Sequence, residues 1–360
     1  MSNNKKSEYH PLYALSSLGA GGISVAFWKL ADATHQTAIV SALEVIFYII
    51  AFALFLINLP LWIKALKNTD KFFGIQLPAS QSLNNKPASP VVSTGWMALP
   101  ASFVMLLNAS FVILPAQLHF DIEKFAPIGF WFWLFVYITV FILGFQILYN
   151  TFAYTTSIKT FHFGLFLHPL AYGLVAIPGV SMADMLQANM ATTALILGLT
   201  AFVVGGILGF LALIFIFQRF ITYGFPEPDV APTSILLMPS ITIYTIFLLK
   251  LMHYMSHHGL HIAHIVVSVV VFAAIGTMGA TTTLGLIVLY MYFREKIPFG
   301  PSWWSFVCPF VALSVLSSMT YQFGGHIKLF IMLSIFAITL VSFIYLYVSG
   351  LTIKHLKFLK

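Results

Sequence analysis

Five histidines, His253, His257, His258, His261 and His264, crowd into twelve residues and form the densest set of potential metal ligands in the chain. His253, His257 and His261 recur every four residues, which places three imidazoles on one helix face, as metal ligation or proton sensing requires. The same run lies between two apolar stretches, where polar residues belong at a membrane–water boundary. That reading takes precedence, so no metal is assigned and the three stand as weak candidates. Haem or other redox ligation would need histidines deep in facing helices, and only His168 lies deep in an apolar run. Glu44 is the one carboxylate well inside such a run. It reads first as a structural or subunit-contact residue. With His168 it is also the candidate for proton coupling, because ionisable groups in hydrocarbon are costly and mark functional sites. The sequence contains no GxxxxGK[ST], HExxH, CxxC or GxSxG pattern, so neither an enzyme nor a cofactor is expected.

Composition sets the frame for these groups. With 60% hydrophobic residues, 8% charged residues and a mean hydropathy of +0.95, the chain cannot be an ordinary soluble domain. It reads as an all-α polytopic membrane protein, with residues 1–360 as a single integral membrane domain. The formal charge of +7 comes from basic residues scattered singly, which argues against a nucleic-acid surface. One cysteine excludes an intrachain disulfide. The first residues imitate a signal peptide, with Lys5-Lys6, an apolar run and Ala31-Asp32-Ala33. Retention is expected, because cleavage would remove the first copy of a repeat described next.

The elements that position these residues are ten apolar spans of about 20 residues or more, paired as five helical hairpins. They run roughly 10–30 and 36–63, 91–117 and 127–152, 160–181 and 190–219, 231–252 and 261–292, and 301–321 and 327–350. Pro11, Pro100, Pro169, Pro239 and Pro309 fall in the first helix of each hairpin, the last four at spacings of 69, 70 and 70 residues. Self-similarity at a fixed period marks a repeat architecture. A proline inside a helix frees a carbonyl, a defect that hydrocarbon tolerates only where neighbours or a cavity satisfy it. The expectation is an inner ring of five proline-kinked helices forming a pore, surrounded by five smooth helices whose interiors lack proline.

Basic residues set the orientation. Thirteen of the 17 lie at the termini or in loops after even-numbered spans, against Lys29, Lys124, Lys250 and Lys328 on the other side. The positive-inside rule then puts both termini in the cytoplasm. Residues 1–9 read as a short cytoplasmic tail, the only long polar loop, about 70–90, as a cytoplasmic linker between the second and third spans, and 351–360 as a basic C-terminal tail. Gly19, Gly21, Gly22, Gly205, Gly206 and Gly209 suit close helix packing. The pore is expected to be uncharged, with Ser240, Thr242, Ser305, Ser314 and helix-end dipoles facing the permeant ion.

Ten spans as five hairpins, the proline repeat, and Trp303-Trp304-Ser305-Phe306 followed by Pro309 together resemble the tellurite-resistance/dicarboxylate transporter (TDT) family. That is the family of TehA and of the slow-type anion channels of plant guard cells. The resemblance implies a homotrimer with a separate pore in each subunit, occluded by a phenylalanine side chain. In the family pattern that phenylalanine immediately precedes the ninth-helix proline, where this chain has Cys308. Phe306, Phe310, Phe103 and Phe166 are the candidates to replace it. The implied function is selective passive transport of small anions, chloride or nitrate first, in a bacterial cytoplasmic membrane. The alternatives are proton-coupled export of C4-dicarboxylates, sulfite or tellurite-type oxyanions, and a metal or redox protein built on the histidines.

Overall fold

The computed structural model describes residues 9–34, 38–67, 94–119, 121–154, 158–224, 228–260, 264–294, 297, 299–323 and 326–358. The expected 70–90 linker lies outside them. Ten long helices follow one another: α1 (Leu15–Thr34), α2 (Ala38–Lys67), α3 (Ala98–Leu118), α4 (Ile122–Tyr154), α5 (Leu167–Ala183), α6 (Ala188–Tyr223), α7 (Leu237–His257), α8 (His264–Phe293), α9 (Val307–Phe323) and α10 (Lys328–Phe358). Nine of them hold described stretches long and apolar enough to cross a membrane; in α8 the corresponding stretch is the shorter Ile265–Ala280.

Packing separates odd from even helices. Each odd helix packs on the even helix that follows it, and α1, α3, α5, α7 and α9 touch one another in cyclic order, with α9 returning to α1. Between 50% and 100% of the apolar stretch is buried in the odd helices, against 22% to 44% in α2, α4, α6 and α10. The even helices leave Ile39, Phe145, Phe210 and Phe343 more than 60% exposed, as side chains facing lipid would be.

The prolines do something different from the expected mid-helix kink. Short 3-10 segments, Pro11–Ala14, Phe163–Phe166, Pro228–Leu236 and Pro301–Phe306, lead into α1, α5, α7 and α9. Pro100, Pro169, Pro239 and Pro309 are each the third residue of the α-helix they begin. The first N–H groups of a helix have no intrahelical partner, so proline there removes no helical hydrogen bond. These prolines therefore mark the starts of inner helices. Pro11 departs from the set. It opens the 3-10 turn before α1, and the third residue of α1 is Ser17. The proline nearest mid-helix in the inner set is Pro178 of α5, outside the repeat. The outer helices are not free of proline either, since Pro60 lies within α2 and Pro127 within α4.

Hydroxyl groups stitch these helix starts together. Ser102 of α3 donates to the Ala14 carbonyl at 2.7 Å, and Ser240 of α7 donates to the Phe166 carbonyl at 3.2 Å. Both carbonyls belong to the last 3-10 residue before an inner helix. At two of these starts a histidine closes the 3-10 turn. His10 Nδ1 accepts from Leu12 N at 3.3 Å, and His162 Nδ1 accepts from Gly164 N at 3.1 Å.

Candidate functional site

All five inner helices contribute to one cavity of about 90 Å³. Its wall includes Leu18 and Gly22 of α1, Met105 of α3, Leu170 of α5, Ile243 of α7 and Cys308 of α9 near the helix starts. From Leu18 to Lys29 on α1 is three helical turns, about 16 Å at 1.5 Å per residue. Glycine makes the α1–α9 wall possible. A Cβ at Gly19 would lie 2.7 Å from Val307 Cγ1, and one at Gly22 would lie 2.7 Å from Val311 Cγ1.

The wall is apolar with three polar exceptions far from the helix starts: Lys29, Lys250 and Asn108. Lys250 Nζ donates to Ser181 Oγ of α5 at 2.6 Å. Lys29 Nζ pairs with Asp32 Oδ2 at 3.3 Å and stands 4.4 Å from the Trp28 ring centroid. Asp32 also accepts from Gln322 Nε2 of α9 at 2.9 Å. An ammonium has three donors, so these partners leave both lysines with hydrogen-bonding capacity for an anion in the cavity.

The expected uncharged pore did not include these two lysines, which line the cavity. Span 231–252 put Lys250 at a helix end, but α7 continues to His257, which leaves Lys250 nearly two turns inside the helix. Lys29 lies inside its helix likewise, because α1 runs to Thr34. The signal available in the sequence was the apolar pair Tyr254-Met255 beyond the expected end at residue 252.

The expected hydroxyls do not line the cavity. Ser240 and Thr242 bond to backbone carbonyls, and Ser314 bonds to Ser334. Ser305 is buried beside the helix start. Of the candidates for occlusion, only Cys308 lines the cavity. Phe103 points outward against Phe55 and Phe132, Phe166 stacks on Phe163, Phe306 packs edge-on against Trp303, and Phe310 is buried. Among the described residues, no phenylalanine side chain lines this cavity.

Glu44 and His168 also stand away from it. Glu44 is buried within the single chain. His168 is buried at the α4–α5 contact, its ring 5.3 Å from Tyr172, in space left by Gly144. The Glu44 carboxylate interacts with the Gln117 side chain, while Nε2 of His168 has no hydrogen-bond partner among the described residues.

The histidine set is only partly assembled as expected. His253 is stacked on His257 with centroids 6.3 Å apart, and His261 lies outside the described residues. His257 and His258 instead converge on Asp184, at 3.9 Å and 3.3 Å. One residue before the apolar stretches Phe163–Ala183 and Pro11–Thr34, burial and then the charge of Arg219 push His162 down to about 3, and burial pushes His10 down to about 4. Both imidazoles are therefore neutral near pH 7, as accepting a backbone N–H requires.

A family model described as voltage-dependent anion channel (SLAC1) matches residues 8–353, nearly the whole chain. No curated protein matches it.

Proposed function

Since the chain belongs to the voltage-dependent anion channel family, we propose that the cavity enclosed by α1, α3, α5, α7 and α9 is its anion path. The observation that carries this reading is the convergence of Lys29 and Lys250 on a cavity walled by all five inner helices. An apolar wall favours ions that lose water cheaply, and two ammonium groups make a short attractive site for negative charge. The substrates are small monovalent anions, chloride or nitrate before strongly hydrated oxyanions and dicarboxylates. Transport is passive, because Glu44 and His168, the groups a proton-coupled carrier would use, stand outside the cavity.

The surrounding assignments follow from the sequence. The excess of basic residues on one side places both termini in the cytoplasm, so the lysine pair lies toward the opposite face. The assembly is a homotrimer with one path per subunit in a bacterial cytoplasmic membrane. Inner helices that begin at proline support a five-hairpin pore.

The test is current across a planar bilayer holding purified protein, under a chloride gradient with an impermeant cation. The expected reversal potential follows chloride. No current, together with malate uptake into liposomes driven by a pH gradient, would replace the channel with a carrier.

A further inference from the structure

The end of α7 is built in a way that the anion path does not use. Adjacent residues of a helix point in different directions, so consecutive histidines in regular helix cannot share a ligand. Here α7 stops at His257. His258 leaves the helical conformation at φ −88°, ψ 20°, and Gly259 follows at φ +73°, the left-handed position that glycine takes after a helix. That turn brings His257 and His258 together on Asp184, at the C-terminus of α5. Asp184 Oδ1 is 3.3 Å from His258 Nε2 and 3.9 Å from His257 Nδ1. One ligand atom from each residue lies within 4.8 Å of the other two.

We infer that Asp184, His257 and His258 form a site for a divalent transition metal of the zinc class, joining α5 to α7. Two imidazoles and one carboxylate are a complete protein ligand set for an open tetrahedral zinc site, with water fourth. Metal–ligand bonds of about 2.0–2.1 Å put tetrahedral ligands about 3.3 Å apart, the Asp184–His258 separation already in place, with His257 drawn in from 3.9 Å. The three side chains are 28%, 72% and 48% exposed, so they are open to metal from solution and free to close on it. His253 stacks on His257 but its other ring neighbour is Phe323, and it stands outside the ligand set. The bridge spans two helices that both line the cavity, one turn beyond Ser181 on α5 and about two turns beyond Lys250 on α7, which are themselves hydrogen-bonded. Metal binding thus fixes the spacing of α5 and α7 at that end.

The experiment is a Co²⁺ and Zn²⁺ titration of the full-length protein in detergent, purified without a histidine tag, with visible absorption and thermal unfolding as readouts. The expected result is one Co²⁺ per chain with tetrahedral absorption bands, and a Tm that rises with Zn²⁺. In Asp184→Asn and in His257→Gln/His258→Gln, affinity falls at least tenfold and the Zn²⁺-dependent rise in Tm is lost. Metal-free Tm stays that of wild type, which shows that the variants fold. His253→Gln binds as wild type does. Absence of stoichiometric binding, binding that survives Asp184→Asn, or loss of binding in His253→Gln each overturns the assignment.

Discussion

Lys29 on α1 and Lys250 on α7 reach the same cavity from the first and fourth hairpins, each held by one short contact, to Asp32 and to Ser181. Only the cyclic order of the inner helices brings them to one wall. Positive charge that would be costly alone becomes useful where an anion passes.

That relationship predicts the effect of neutralising either lysine. A unit charge at contact distance in a water-filled path contributes about 1 kcal/mol. Lys250→Met and Lys29→Met should each lower chloride conductance about fivefold at low ionic strength, and the double variant should lower it further. Near 1 M salt the loss should shrink, because the screening length falls from about 10 Å at 0.1 M to about 3 Å. Single-channel recordings across a salt series check this, and equal conductance in wild type and both variants would remove the lysines from the path.

Cys308 is the one expected gate position that lines the cavity. Cys308→Phe places a phenyl ring in a cavity of about 90 Å³ and should suppress anion current by at least tenfold. Cys308→Ser, nearly the same size, should leave current within about twofold. The comparison separates occlusion by volume from any effect of losing the thiol.

The α1–α9 contact is set by missing side chains. A Cβ at Gly22 would stand 2.7 Å from Val311 Cγ1, too close without displacement of a buried helix. Gly22→Val should destabilise the protein by about 1–3 kcal/mol through overpacking. Pairing it with Val311→Ala should recover much of the loss. Thermal unfolding in detergent reads both, and a single variant as stable as wild type would show that this contact is loose.

His162 predicts an acid-side loss of stability. Its folded value, about 3, lies below the ordinary 6.5 because burial, then Arg219, disfavours the imidazolium. The unfolded chain therefore binds the extra proton first as pH falls. The stabilisation is full above about 6.5 and is lost progressively between 6.5 and 3, at about 1.4 kcal/mol per pH unit. Unfolding at pH 7 and pH 5 should differ more in wild type than in His162→Asn, which can keep the acceptor for Gly164 N without titrating in this range. Equal pH dependence in the two proteins would remove His162 as the source.

The sequence by itself determined the membrane class, the alternation of helices and the period of the proline repeat. Apolar length and proline spacing are local quantities, and helices in lipid must satisfy their own backbones. The resemblance carried by Trp303 to Pro309 also reached the family that the chain belongs to. The consequence of each proline was less legible. Pro169 and Pro239 look like interruptions of a span, yet each begins an α-helix after a 3-10 turn, a distinction made by backbone geometry. Pro11 shares their motif but not their place, and Ser17 holds that place in α1. The charged wall, the outward-facing Phe103 and the Asp184–His257–His258 cluster were decided by tertiary structure alone. Each depends on which faces of distant helices meet, and helix rotation about its axis leaves little trace in a chain where nearly every position is apolar.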